Sequence, residues 1–197
     1  TTASTDLSGA SGVHNVYLVF KNANARVEGI QFVTSGVTIP DGLANEADEN
    51  GNWNYYIDGK VATDATGLAP NAYGWWYVKN GKVDFTYTGL ASNDQGWFMV
   101  VNGMVDFGYT GLVANEYGWW YVSGGQVDFT YTGLAANEYG WWYVSDGQVD
   151  FNCNGLVNSA YGWWYVSGGR VDDTYTGLVA NAYGWWYVVK GQIDFAY

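Results

Sequence analysis

Cysteine, basic residues and long apolar runs are scarce in this chain, and each scarcity excludes a class of protein. The single cysteine among 197 residues, Cys153, rules out an intrachain disulfide. Seven Lys and Arg residues against nineteen Asp and Glu residues give a net charge of −12, which repels nucleic-acid phosphates and anionic membrane surfaces. No apolar run reaches the ~20 residues that a membrane-spanning helix needs. We therefore expect no nucleic-acid partner and no transmembrane segment.

Catalytic residue types are equally scarce. The only histidine, His14, lies on a predicted strand near the start of the chain, so no Ser-His-Asp, Cys-His or zinc constellation can be assembled. Paired carboxylates such as Asp172 and Asp173 are neighbours on a predicted strand and point to opposite faces. Glycosidases need two carboxylates across one cleft. We expect a protein that is not an enzyme, and we assign it no catalytic residue, no cofactor and no metal ligand.

Glycine and aromatic residues are abundant, and both recur with a fixed period. The chain has 28 Gly, 12 Trp and 18 Tyr residues. The pair Gly-Leu recurs every 22 residues from Gly67 to Gly177, after an earlier copy at Gly42, and a tryptophan keeps the same period from Trp53 to Trp185. This register indicates seven tandem units, of which the first is degenerate.

Each unit contains the signals of a β-hairpin. A strand of the type Gly-Trp-Trp-Tyr-Val is followed by a two-residue turn and a return strand, in which apolar and polar side chains alternate from Val127 to Thr132 in the fourth unit. The segment between hairpins, such as Gly133–Tyr139, carries turn residues and is expected to reverse the chain. The predicted turns are Asp58-Gly59, Asn80-Gly81, Asn102-Gly103, Gly124-Gly125, Asp146-Gly147, Gly168-Gly169 and Lys190-Gly191.

A single hairpin is only marginally stable in water, so the units should lean on one another. We therefore predict an all-β fold, a β-hairpin solenoid of about seven 22-residue repeats that spans residues 35–197, with no helix longer than a turn. Residues 1–34 are predicted to form a separate short β-strand segment.

The pattern from about Gly42 to Tyr197 resembles the cell-wall-binding repeats of choline-binding and glucan-binding proteins of Gram-positive bacteria. Those repeats share the aromatic strand, the Asx-Gly turn and a return strand that ends in Thr-Gly. The resemblance implies a left-handed superhelix of hairpins, with ligands held between consecutive hairpins in cages of Trp and Tyr. Here Gly-Leu replaces the family's opening Gly-Trp, as at Leu134, the turn is about one residue shorter, and the return strand is about three residues longer.

The first part of the chain resembles a different family. Ser8–Phe20 and Val27–Phe32 look like the closing strands of a family-6-type carbohydrate-binding module. Glu28-Gly29 replaces the polar and aromatic pair of that family, so we assign no sugar binding to this remnant. The resemblance implies a secreted carbohydrate-active parent. The chain opens at Thr1-Thr2-Ala3 without a signal peptide, and we interpret it as a processed product or an excised piece.

The doubled tryptophans are the main candidates for function. Adjacent strand residues point to opposite faces, so if one Trp of a pair enters the core, the other meets the next hairpin or solvent. Two hypotheses remain: a stacking contact between units, or a platform for a sugar face or a quaternary ammonium group. The third unit departs from the pattern with Trp97-Phe98-Met99. The candidate ligand-binding residues are Trp75, Trp76, Tyr77, Trp119, Trp120, Tyr121, Trp141, Trp142, Tyr143, Trp163, Trp164, Tyr165, Trp185, Trp186 and Tyr187.

One aspartate per unit also keeps the period. It is interpreted as a solvated residue or an acceptor for an N–H group, and two alternatives remain open: a ladder of calcium sites and attraction of a ligand cation. Cys153 occupies a position that is tyrosine in neighbouring units, which indicates a space-filling role. The aspartates are Asp84, Asp106, Asp128, Asp150, Asp172 and Asp194.

The leading hypothesis is a binding module that attaches a secreted or surface carbohydrate-active protein to the bacterial cell wall or to a glycan. Its partner would be recognised through a choline-like group or a neutral sugar. The alternative is a structural spacer or self-assembling rod, in which the open ends of the solenoid associate end to end. A third hypothesis places an enzymatic domain upstream of this chain.

Overall fold

A computed structural model describes residues 39–196, which consist of strands, turns and loops without a helix. These residues lie in one compact unit that spans residues 38–197. The prediction of an all-β hairpin solenoid with repeats of about 22 residues is confirmed. The predicted module at residues 1–34 lies outside the described residues, and so do residues 35–38. Within the described range, no helix is long and apolar enough to cross a membrane.

Seven units follow one another, and each contains three strands. We number the units 1 to 7 from their opening glycines, Gly42, Gly67, Gly89, Gly111, Gly133, Gly155 and Gly177. The first strands are Gly42–Leu43, Gly67–Asn71, Gly89–Asn93, Gly111–Asn115, Gly133–Asn137, Gly155–Ser159 and Gly177–Asn181. The second strands are Tyr55–Ile57, Gly74–Lys79, Gly96–Val101, Gly118–Ser123, Gly140–Ser145, Gly162–Ser167 and Gly184–Val189. The third strands are Lys60–Val61, Lys82–Val83, Met104–Val105, Gln126–Val127, Gln148–Val149, Arg170–Val171 and Gln192–Ile193.

The first and second strands of a unit form its main antiparallel hairpin. In unit 5, Gly133 lies opposite Val144 and Asn137 lies opposite Gly140. The prediction that Gly133–Tyr139 merely reverses the chain was therefore wrong. The short side chains of Ala135 and Ala136 lie opposite the two tryptophans of the second strand, where they leave room for the indole rings.

The return strand is much shorter than its sequence pattern predicts. In unit 4 it ends at Val127, and residues 128–131 form a turn in which the Tyr131 N–H donates to the Asp128 carbonyl, at 3.3 Å. The Asp128 side chain also accepts a bond from the Thr130 N–H, at 2.9 Å. Local bonds of this kind compete with a sheet ladder. The prediction of a strand that alternates as far as Thr132 was therefore wrong.

The turns between the second and third strands confirm the prediction from the Asx-Gly and Gly-Gly pairs. Both turn residues have positive φ, for example 49° at Asp146 and 79° at Gly147. The same geometry holds where the first residue is Lys190, at 49°.

In units 2 to 7, backbone hydrogen bonds join the turn to the preceding unit. Gly147 of unit 5 donates its N–H to the Tyr131 carbonyl, at 2.9 Å, and its carbonyl accepts from the Tyr121 N–H, at 2.8 Å, both in unit 4. The second strand of a unit also pairs with the third strand of the next, as Trp120 does with Gln148. The strands of units 2 to 7 thereby form one 18-stranded sheet, and a bridge from Asn54 to Lys82 joins unit 1 to them.

The hydrophobic core lies between units rather than within them. A valine of the second strand is at most 2% exposed in each of units 2 to 7. Around Val144, the cluster combines Leu112 and Trp119 from unit 4 with Ala135 and Val149 from unit 5. Each unit therefore presents one apolar face to the following unit and another to the preceding unit.

The contact between turn glycines and the preceding unit leads to a stability prediction. A Cβ atom on Gly125, where φ is +80°, would lie 2.5 Å from the Asp106 carbonyl oxygen. We expect Gly125→Ala to lower the free energy of unfolding by more than about 2 kcal/mol, because positive φ and a backbone clash act together. Thermal unfolding followed by tryptophan fluorescence measures the effect.

Gly124 of the same turn provides the matched control. Its φ is +58°, and the nearest atom to an added Cβ, the Phe107 carbonyl oxygen, would be 3.9 Å away. Gly124→Ala should therefore cost only about 1–2 kcal/mol. Equal losses for the two variants would contradict the importance of the inter-unit contact.

Candidate functional site

The two tryptophans of a pair lie on opposite sides of their unit. In units 2, 4, 5 and 6 each of them faces a neighbouring unit, whereas Trp185 of unit 7 is 72% exposed. Trp119 is the first tryptophan of unit 4, and it packs in the cluster around Val144 that units 4 and 5 share. Trp142 is the second tryptophan of unit 5, and it packs in the same cluster from the side of unit 5. The space between two units is therefore bounded by the first tryptophan of one unit and the second tryptophan of the next.

Two further aromatic side chains complete this space, which we call the aromatic cage. Between units 3 and 4 the cage consists of Trp97, Tyr117, Trp120 and Phe129, which surround a cavity of about 140 Å³. The Trp97 and Tyr117 ring centroids are 6.3 Å apart, with 76° between the planes. Those of Trp120 and Phe129 are 5.5 Å apart, at 72°. All four aromatic side chains line this cavity, so ring atoms form most of its wall.

An asparagine at the end of the first strand positions two members of the cage. The Asn115 Oδ1 atom accepts a bond from the Tyr117 N–H, at 2.9 Å, and another from Trp120 Nε1, at 3.0 Å. One amide oxygen thus fixes both the turn and the indole ring. Equivalent bonds to tryptophan Nε1 are made by Asn71, Asn137 and Asn181.

Sequence reasoning missed these asparagines, together with the tyrosine and the phenylalanine that most cages contain. The signal was present, because they repeat every 22 residues beside the doubled tryptophans. The cage tyrosines are also among the most exposed large side chains, from 57% to 78%. They are Tyr73, Tyr117, Tyr139, Tyr161 and Tyr183.

The tyrosines that follow the doubled tryptophans occupy a different place from the cage. Tyr121 stacks on Tyr131 of the same unit, with centroids 3.8 Å apart and 21° between the planes. Tyr77 and Tyr165 form equivalent pairs. In unit 5 the stacking partner of Tyr143 is replaced by Cys153, a half-buried thiol whose pKa is raised by burial. These tyrosines pack within their own units, and the cavities of about 140 and 380 Å³ are lined by other residues.

The cages near the start of the solenoid are closed by direct contact between their own rings. Trp53 of unit 1 lies 5.1 Å from Trp76 of unit 2. Between units 2 and 3, Phe98 replaces the second tryptophan, lies 5.6 Å from Trp75 and is only 5% exposed. Gln95 stands in place of the cage tyrosine there.

The cage between units 5 and 6 encloses a cavity of about 380 Å³, lined by Trp141, Tyr161, Trp164 and the apolar side chain of Leu134. Trp141 is 43% exposed, and the Trp141 and Tyr161 centroids are 5.8 Å apart. Small ligands are commonly held in cavities of about 300–1,000 Å³. This cavity therefore has the size of a small-molecule site.

The periodic aspartates lie in the turns after the third strands. Asp128 accepts bonds from the Thr130 hydroxyl, at 2.6 Å, and from the Thr130 N–H, at 2.9 Å. These bonds, the hydroxyl first, lower the pKa of Asp128, and the same arrangement lowers the pKa of Asp84 and Asp172. Among residues 39–196, no three His, Cys, Asp or Glu side chains cluster closely enough to hold a metal ion.

The chemistry of the cage suits a compact cation with an apolar surface. Ring faces attract a cation within about 6 Å of their centroids. One such contact already exists, because the Arg170 guanidinium carbon lies 5.9 Å from the Trp142 ring centroid. The net charge of −12 adds a long-range attraction for cations.

The aspartate–threonine pairs predict a pH-dependent contribution to stability. A carboxyl group whose pKa is lower in the folded state than the ordinary value of about 3.9 stabilises the fold above that value, and the contribution disappears as the pH falls through the folded-state pKa. We expect the triple variant Thr86→Ala, Thr130→Ala, Thr174→Ala to be less stable than the parent chain near pH 6. The difference should narrow near pH 2. Unfolding temperatures measured across this range test it.

The triple serine variant at the same positions is the control, because it keeps the three hydroxyl groups and should follow the parent chain. An alanine variant whose stability differs from the parent equally at all pH values would contradict the assignment.

Comparison with known families gives one match. A family model described as a choline-binding repeat matches residues 64–84, 86–106, 108–128, 130–150, 153–172 and 174–194. These six segments together cover more than half of the chain. No curated protein matches it.

Proposed function

Because the chain belongs to the choline-binding repeat family, we propose that it is a non-catalytic module that binds choline groups of a bacterial cell-wall polymer. The aromatic cage between consecutive units is the observation that carries this proposal. The module acts outside the cell, as part of a secreted or surface-attached protein.

The trimethylammonium group of choline matches the cage in shape and charge. It is cationic, apolar on its outside and without a hydrogen-bond donor. It therefore gives up no hydrogen bond that it donates to water when aromatic rings replace its hydration shell. Cation–π attraction contributes about 0.5–2 kcal/mol per contact, depending on exposure. Trp97, Tyr117 and Trp120 line one cavity and supply the rings for such contacts.

The cages differ in whether they have room for a ligand. Between units 1 and 2 and between units 2 and 3, the rings fill the space with one another. In the four later cages the two tryptophans are separated, and ring contacts remain only with the tyrosine or the phenylalanine. Choline therefore binds in the later cages, from the one between units 3 and 4 onward.

The candidate residues predicted from the sequence divide accordingly. The proposed choline ligands among them are the first tryptophan of one unit and the second tryptophan of the next. They are Trp119, Trp120, Trp141, Trp142, Trp163, Trp164 and Trp186, joined by Trp97 and by the cage tyrosines Tyr117, Tyr139, Tyr161 and Tyr183.

Attachment of a carbohydrate-active protein is the wider role that we propose for the module. It is supported by the resemblance of Ser8–Phe20 and Val27–Phe32 to a carbohydrate-binding module. That segment lies outside the described residues. The support for the attached protein is therefore the sequence resemblance alone, whereas the support for choline recognition is the cages.

Calorimetric titration of the full chain with choline, in comparison with 3,3-dimethylbutan-1-ol, tests the proposal. The alcohol has the shape of choline but carries carbon in place of the charged nitrogen. Choline should bind at millimolar concentration or below and quench tryptophan fluorescence. The alcohol should bind at least about tenfold more weakly, because the loss of cation–π attraction to several rings amounts to about 1.4 kcal/mol or more. Equal affinities, or binding of neutral oligosaccharides but not choline, would refute choline recognition.

Removal of one cage tyrosine locates the sites. Tyr139 is 57% exposed and lies 6.0 Å from Trp119, so Tyr139→Ala should weaken one choline site while the unfolding free energy changes by less than about 0.5 kcal/mol. Calorimetry should then show one site fewer at a given choline concentration. The matched control is Tyr73→Ala in the closed cage between units 1 and 2, which should leave the number of sites unchanged.

A further inference from the structure

The cage between units 5 and 6 continues into a second cavity. The aromatic cavity of about 380 Å³ and a neighbouring groove of about 470 Å³ share Leu134, Trp141 and Tyr161 in their walls. The groove begins at Thr110, at the end of unit 3, and crosses units 4, 5 and 6. A molecule that enters the cage can therefore extend along the groove without a break in contact.

Three positions of unit 6 differ from the equivalent positions of units 4 and 5, and together they open this site. Asp173 stands where Phe129 and Phe151 contact the second tryptophans of their units. Ser159 replaces the asparagine, and within the described residues no acceptor reaches the Trp164 N–H.

The third difference removes a charged side chain from the wall of the groove. The turn residue before the cage tyrosine is Glu116 in unit 4 and Glu138 in unit 5, but Ala160 in unit 6. The pKa of Tyr109 is raised first by burial of its phenol and second by the negative charge of Glu138. The Glu138 carboxylate therefore lies near the Tyr109 phenol. Tyr131, the residue of unit 4 equivalent to Tyr109, lines the groove together with Ala160 and Tyr161 instead.

The groove walls carry neutral polar groups that are free to bind. The Thr110 and Thr132 hydroxyl oxygens accept bonds from backbone N–H groups, at 3.3 and 3.2 Å, so their protons remain available as donors. Asn158 is exposed, and its side-chain amide has no hydrogen-bond partner among residues 39–196. The equivalent residues of units 4, 5 and 7 are alanines, Ala114, Ala136 and Ala180.

We infer that the site between units 5 and 6 binds choline together with a neutral, hydroxyl-bearing part of the molecule to which the choline oxygen is attached. The inference rests on the proposed choline recognition and adds a second ligand class at one site. The groove wall has hydroxyl and amide groups and no basic side chain. It therefore recognises a sugar or polyol by hydrogen bonds rather than a phosphate by charge. The cage between units 3 and 4 binds the choline group alone.

Titration of the ¹⁵N-labelled full chain with choline and with choline glucoside, in which glucose is joined to the choline oxygen, tests this inference. Both ligands carry one positive charge. The indole N–H resonance of Trp164 reports on the composite site, and that of Trp120 reports on the cage between units 3 and 4 within the same molecule. At Trp164 the glucoside should bind about threefold to tenfold more tightly than choline, as one or two net hydrogen bonds would give. At Trp120 the two affinities should agree within twofold.

Two variants connect the preference to the groove. Asn158→Ala introduces the residue of units 4, 5 and 7, and Ala160→Gln fills the groove with a neutral side chain as long as the glutamate of units 4 and 5. Each variant should reduce the glucoside-to-choline affinity ratio at Trp164 toward one. A change that weakens the choline group equally in both ligands leaves this ratio unaltered. Ala182→Gln, the same substitution at the same turn position of unit 7, is the control and should leave the ratio at Trp164 unchanged.

The outcomes separate the two proposals. If choline shifts neither indole resonance, choline recognition itself fails. If choline shifts both resonances and the glucoside shows no preference at Trp164, or an equal preference at Trp120, choline recognition stands and the composite site is overturned. An equal loss of ratio in Ala160→Gln and Ala182→Gln would also overturn it.

Discussion

In units 2 to 7 the glycine at the second turn position is held by two backbone hydrogen bonds to the preceding unit, and the rest of the structure depends on this contact. For Gly147 the bonds reach Tyr131 and Tyr121, and a side chain at this position would strike the Asp128 backbone. The contact sets the offset between units, and the offset decides which side chains meet across the interface. The buried valines and the aromatic cages both follow from this one backbone step.

A constant backbone combined with variable side chains explains why cages on the same scaffold differ. The Cα atoms of Asp173 and Phe151 approach the following turn glycine equally closely, about 2.9 Å from a Cβ placed on Gly191 or Gly169. This backbone contact is therefore the same where aspartate replaces phenylalanine, and the difference lies in the wall of the cage. Phe98 has the opposite effect, because a smaller ring packs against Trp75 and closes the space.

The sequence was sufficient for the period, the positive-φ turns and the opposite orientation of the paired tryptophans, because all three follow from local backbone rules. It was insufficient for the strand at Gly133–Asn137, whose Gly, Ala and Asn residues have low β propensity and no alternation. The alternation from Val127 to Thr132 was misleading, since the Asp128 side chain closes a turn there. The cage was out of reach because its members, such as Trp119 and Tyr139, meet only through the offset between units. That offset depends on tertiary hydrogen bonds.

The regular offset has a consequence for a ligand that carries choline at many points. Once one choline group of a polymer occupies a cage, the next cage is one unit away. A second choline group on the same polymer chain reaches it without a new diffusional encounter. Linked binding of this kind can strengthen attachment by about 10² to 10⁴ over a single site when the spacings match. A row of individually weak cages can therefore hold a polymer firmly and still release a free monomer quickly.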